Sequence, residues 1–143
     1  MYSILKTTHS YFAYVAFAAI IIALLLAIAS KLSNKPYSAS NLKTAMFGMI
    51  ASHLQLLIGL VLYFVSPNGF QNLSGATMKD SFSRLLAVEH PFINILAIVF
   101  ITIGFNKAKK AMASGNANMK VVVFYGLGLL LLLSRVPWSQ WLG

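Results

Sequence analysis

The sequence predicts an all-α integral membrane protein, a four-helix bundle of up-down-up-down path with almost no soluble part. Two observations carry this. Hydrophobic residues make up 59% of the 143 residues and charged residues only 9%, far below the roughly 25% charge of a soluble domain. The apolar residues also fall into four long segments, as a lipid-embedded chain requires.

The segments follow in order. Tyr11–Ala29 carries no charge, and Met46–Val65 has one ionisable residue, His53. Leu85–Phe105 contains Glu89 and His90, and Val121–Leu133 is apolar throughout and extends past Ser134 and Arg135 to Trp141. A bilayer core of about 30 Å needs roughly 20 helical residues. Helices are therefore expected over 4–31, 41–66, 82–110 and 118–140, in one transmembrane domain covering 1–143. Helices suit the spans because each satisfies its own backbone hydrogen bonds. The short alternating strands of an outer-membrane barrel do not occur.

The N-terminal run, with Lys6 before it and Ala27-Ile28-Ala29 at its end, has some features of a secretory signal. It is longer than the usual apolar region of one, so it is expected to remain as the first span. The breaks between spans have the chemistry of turns. Ser33-Asn34-Lys35-Pro36 ends the first helix, and Ser38 to Asn41 offers caps for the second. Ser66-Pro67-Asn68-Gly69 opens the longest connection, and Ser114-Gly115-Asn116 leads into the fourth helix.

Eleven basic residues stand against two acidic ones. Lys31, Lys35, Lys43, Lys107, Lys109, Lys110 and Lys120 flank the connections between spans 1 and 2 and between spans 3 and 4. The positive-inside rule then places these connections in the cytoplasm of a bacterial inner membrane and both termini in the periplasm. The charge is thus explained by topology and by contact with the lipid bilayer, and no nucleic acid partner is expected. Trp138 and Trp141 suit the opposite interface. Without cysteine, the chain has no disulfide, iron–sulfur cluster or thiolate metal site.

The chemistry must sit inside the helices. His9, His53 and His90 each fall on a different span, and an ionisable residue within a membrane is a candidate for function. A neutral imidazole offers one lone pair to a metal and one N–H to an orienting partner. Two imidazoles on facing helices can hold a heme iron from both sides. From the span midpoints, His9 lies roughly 16 Å and His90 roughly 7 Å to the outer side, and His53 roughly 4 Å to the inner side. His90 is therefore expected as one iron ligand and His53 as the other, a metal-binding pair of His90 and His53. His9 is left for a heme propionate or a quinone. Arg84 and Arg135 share the outer side with His90 and are expected either to clamp propionates or to reach headgroups. Glu89 is a proton relay or the partner of those arginines. Pro91 should kink the third helix. Asn94, one turn on from His90, is placed to orient its ring. Gly48, Ser52, Gln55 and Gly59 form a small-residue packing seam, and Gly126 and Gly128 would let a backbone approach a flat ring. The alternative is that the histidines only lock helices together.

Four segments carry a resemblance: His9-Ser10-Tyr11-Phe12-Ala13-Tyr14, Ser52-His53-Leu54-Gln55-Leu56-Leu57-Ile58-Gly59, Glu89-His90-Pro91 and Ser134-Arg135-Val136-Pro137-Trp138. Along most of its length the chain resembles small bacterial inner-membrane proteins labelled cytochrome b-like. More loosely, it is similar to one four-helix half of heme A synthase. The resemblance implies heme b and a membrane cytochrome, or a small heme-carrying subunit of a respiratory or quinone-linked complex. Such a protein transfers one electron at a time. A homo-oligomer or a larger membrane complex is then expected. A cofactor-free accessory subunit is the competing class. No phosphate-binding loop or hydrolytic site is visible.

Overall fold

The computed structural model describes residues 1–141 and consists of four long helices. They are α1 (Tyr2–Leu32), α2 (Ala39–Val65), α3 (Ser81–Ala111) and α4 (Ala117–Ser134). Each is long and apolar enough to cross a membrane, as the hydropathy pattern requires. Large apolar side chains such as Val15, Leu25, Phe47, Leu57, Phe92 and Leu130 point outward, which suits lipid as the surrounding solvent. The helices form a ring in which α1 packs on α2, α2 on α3, α3 on α4 and α4 on α1.

Local chemistry sets the boundaries. Ser38 Oγ accepts the Asn41 N–H at 3.0 Å and caps α2. Asp80 Oδ2 accepts the Ser83 N–H at 2.8 Å and caps α3. Hydrogen bonds from Ser83 hold the Asp80 carboxyl below its usual range. That cap is therefore intact at neutral pH and lost as pH falls through the lowered value. Positive φ at Asn34 and Gly115 turns the chain after α1 and before α4, where Asn and Gly tolerate it best.

The fourth helix is shorter than the expected 118–140. It ends at Ser134, and a separate turn, Trp138–Trp141, follows Val136 and Pro137. Pro137 removes a backbone donor and restricts the residue before it, so the chain bends instead of continuing. The bend folds the last turn back over α1. Trp141 Nε1 donates to the Ser10 carbonyl at 3.1 Å, and its ring stacks on Tyr14 at 4.7 Å.

The two ends of the bundle differ. Toward the lysine-rich end it is tightly packed by Ile20, Ala23, Ala27, Ala45, Ile101, Ala108, Val121 and Tyr125. Alanines let the backbones approach, as small residues do in membrane helices. Tyr125 donates to the Ala45 carbonyl, and Asn118 Nδ2 donates to Ser30 Oγ at 3.2 Å. Between α3 and α4 the closeness depends on glycine. A Cβ on Gly104 would strike Phe124 Cβ, and one on Gly128 would lie 2.7 Å from Ile101 Cγ1. Gly128 thus serves α3 packing instead of a flat ring, while Gly126 has open space beside it.

Gly104→Ala should therefore destabilise the bundle by about 1–3 kcal/mol, the usual cost of overpacking. Gly126→Ala should be neutral or stabilising by up to about 1 kcal/mol. Thermal unfolding of both variants in detergent, followed by circular dichroism, checks the contrast.

Candidate functional site

The histidine end of the bundle is hollow where the other end is packed. A cavity of 210 Å³ opens between the helices, with predominantly apolar walls. Its lining runs along α1 from Tyr2 to Ile20, roughly 27 Å by helical rise. His9 and Lys6 from α1, Gln55 and Gly59 from α2, and His90 and Asn94 from α3 supply polar groups or space within it.

The structure brings His9 and His90 together. Their ring centres are 6.2 Å apart and their planes cross at 81°. Each ring is positioned by its neighbours. His9 lies against Gly59, where a Cβ would come within 3.0 Å of its Cε1. The Gln55 side chain donates from Nε2 to the His9 carbonyl at 2.8 Å, tying α2 to α1 at this level. His90 Nδ1 lies 2.7 Å from the Arg135 carbonyl. A carbonyl only accepts, so Nδ1 carries the proton and Nε2 keeps its lone pair.

Asn94 Nδ2 is 3.1 Å from His90 Nε2 and 3.3 Å from Nδ1. A donor on the in-plane lone pair of one nitrogen would be much farther from the other. Asn94 therefore sits over the ring face and leaves the Nε2 lone pair open. This N–H···π contact is weak, but it orients the ring as the spacing predicts.

A π-turn places His90. In the segment Leu85–Glu89 the helix widens, and the His90 N–H bonds to the Leu85 carbonyl. Pro91 has no N–H, so the Ala87 carbonyl, four residues before it, loses its helical partner. The Tyr63 hydroxyl donates to that carbonyl at 2.9 Å. The kink expected at Pro91 is thus a widened turn braced from α2, and π-turns of this kind concentrate at functional sites.

The remaining candidates fall elsewhere. Arg84 Nε is 2.9 Å from Glu89 Oε1, and Arg135 Nε is 3.3 Å from Glu89 Oε2. Both arginines pair with the one carboxylate, and neither lines the cavity. Arg84 also donates to the Met78 carbonyl at 2.8 Å, fastening the 66–80 connection. Gly69 seats that connection at the cavity, since a Cβ there would strike the Tyr63 carbonyl. His53 stands apart on the outer surface of the bundle. Its Nδ1 lies 2.8 Å from the Met49 carbonyl and its Nε2 3.4 Å from Thr102 Oγ1. Thr102 is twelve residues beyond His90 on α3, roughly 18 Å by helical rise, so the expected His53–His90 pair is not brought together. Among the described residues, no three of the His, Cys, Asp and Glu side chains cluster as a metal site would require.

The separation of the two histidine rings is compatible with two imidazoles sharing one metal ion. Imidazole–metal bonds are about 2 Å long, so two imidazoles sharing one ion lie about 4 Å apart, nitrogen to nitrogen. Their ring centres lie farther apart by roughly one ring radius at either end, a range that includes the observed 6.2 Å. His9 Nδ1 is buried without a partner, and the His90 N–H bonded to a backbone carbonyl is the usual arrangement of a metal-ligating histidine. Lys6 is the lysine that lines the cavity. Sequence reasoning passed over it because a lone lysine before an apolar run reads as an interfacial flank. The roles of Tyr63 and Gln55 were also missed, although a proline four residues after Ala87 was a signal that one carbonyl would need an outside donor.

Tyr63→Phe should destabilise the protein by about 1–3 kcal/mol, the cost of a buried acceptor left unpaired. In a Pro91→Ala background, where residue 91 regains its N–H, most of that cost should vanish. A double-mutant cycle of unfolding free energies in detergent measures the coupling.

Comparison with known proteins finds no matching family model, no matching curated protein and no matching solved structure.

Proposed function

We propose that this chain is a heme b-binding membrane protein of the electron-transfer type, with His9 and His90 as the residues that would hold the iron. The observation that carries the reading is the pair of crossed imidazoles, 6.2 Å apart, on the wall of an apolar cavity. His9 takes the place that sequence depth assigned to His53. The resemblance to cytochrome b-like proteins points the same way. A heme held by His9 and His90 would supply one-electron exchange.

The chain's own residues do the rest. The Arg135 carbonyl holds the proton on His90 Nδ1 and so keeps Nε2 free as a ligand. Glu89, fixed between two guanidinium groups, steadies the segment that carries that carbonyl. Gly59 leaves room for the His9 ring. Lys6, which lines the cavity, would receive a propionate. The predominantly apolar walls suit a lipophilic cofactor. Under this reading the protein is an electron-transfer or accessory subunit of the bacterial inner membrane, with both termini periplasmic by the positive-inside rule. It assembles with itself or with a larger respiratory or quinone-linked complex. The cofactor-free alternative gives the unpaired His9 Nδ1 no role.

Optical spectra of the detergent-purified protein, oxidised and dithionite-reduced, test this. A sharp reduced α-band is expected, lost in His9→Ala and His90→Ala and kept in His53→Ala. A colourless protein produced with ample heme, or a band that survives His90→Ala, would contradict the ligand assignment.

A further inference from the structure

His53 breaks the pattern that ionisable side chains within a membrane face the bundle interior. It follows Ser52, the middle residue of α2 (Ala39–Val65), yet it is exposed on the outer surface. At that depth lipid offers it no hydrogen bond. Apolar packing alone would not select this face for a partner, because lipid solvates leucine as well as another helix does. The polar atoms decide.

The bonds of His53 leave one nitrogen unserved. Nδ1 lies 2.8 Å from the Met49 carbonyl. A carbonyl only accepts, so Nδ1 carries the proton and Nε2 the lone pair. Thr102 Oγ1 is 3.4 Å from that Nε2 but 2.7 Å from the Ile98 carbonyl. A hydroxyl has one proton, and the shorter bond takes it. Two acceptor atoms therefore stand together in a shallow groove between α2 and α3, whose other walls include Leu56, Val99 and Ile103.

Whatever covers this groove must bring a donor at the same depth. The chain itself has one. A two-fold axis along the membrane normal leaves every residue at its own depth, so a second copy in the same orientation presents its Thr102 level with His53. Such a contact is reciprocal. The Ile98 carbonyl already accepts a backbone N–H of its helix, so the Thr102 hydroxyl can turn away without orphaning it.

We propose that the α2–α3 face around His53 is the seam of a symmetric dimer, in which the Thr102 hydroxyl of each chain donates to Nε2 of the partner's His53. This gives the third histidine a role that the heme reading leaves open. It does not depend on that reading, since Thr102 lies twelve residues beyond His90 on α3, roughly 18 Å by helical rise.

Fluorescence energy transfer between copies labelled at the N-terminus, followed on lipid dilution in phosphatidylcholine vesicles, tests the seam. The protein should dimerise. His53→Leu and Thr102→Val should each weaken dimerisation by about tenfold, the worth of two interhelical hydrogen bonds in a membrane. The double variant should lose no more than either alone, since both changes remove the same bonds. The chain has no cysteine, so oxidative cross-linking of single-cysteine variants reads the face directly. Leu56→Cys and Val99→Cys should cross-link, and Leu25→Cys and Leu130→Cys, on the opposite helices, should not. Monomers at every dilution, a dimer indifferent to both substitutions, or cross-linking no stronger at 56 and 99 than at 25 and 130 would overturn the proposal. If His53→Leu and Thr102→Val do not fold, the cross-linking decides alone. The heme reading is scored separately from the reduced α-band. A colourless dimer with this seam keeps the proposal and loses the heme, and a coloured monomer does the reverse.

Discussion

A polar group inside a bilayer has no water to fall back on, and the rest of this structure depends on that constraint. It makes the spans helical, because a helix pairs its own backbone groups. It then makes each exception visible. Pro91 removes one N–H, the helix widens over Leu85–Glu89, and the Tyr63 hydroxyl takes up the carbonyl that is freed. Glu89 is accompanied by two arginines. Ser30, Asn118 and Tyr125 all find partners at the packed end. Against this pairing, three buried side-chain atoms among the described residues lack a partner, on residues that line one cavity.

The same bundle is thus built for two tasks along its length. Toward the lysine-rich end, alanines and glycines bring the backbones close and leave no room. Toward the histidine end a cavity opens between the helices. The rigid half sets the spacing of the hollow half. Trp141, folded back by the bend at Pro137 and bonded to the Ser10 carbonyl, closes the end near His9. A site supported by a packed scaffold keeps its geometry better than one on mobile loops.

Much of the fold was legible in the sequence. Four apolar runs, each separated by turn residues, were enough to place all four helices to within a few residues. The exception was the end of α4, where Trp138 and Trp141 looked like a continuation although Pro137 interrupts the backbone bonding. The site was legible only in part. His90 and Asn94 followed from one-turn spacing within a helix. The His9–His90 pairing did not, because a depth estimate treats helices as straight, parallel and centred on their apolar runs. α1 begins at Tyr2, well before its uncharged stretch, and the π-turn shifts the register of α3 just ahead of His90. Depth also says nothing about direction around the helix. His53 is near mid-span by sequence but faces outward beside Thr102.

The assignment of His9 and His90 to one iron has a consequence that separates it from any arrangement with a single histidine ligand. If His9 and His90 both held one heme iron, a small gas would have nowhere to bind. Carbon monoxide added to the dithionite-reduced protein should leave its absorption spectrum unchanged, with about one heme bound per chain. A shifted Soret band on adding carbon monoxide would mean an open axial position and would contradict the two-histidine site.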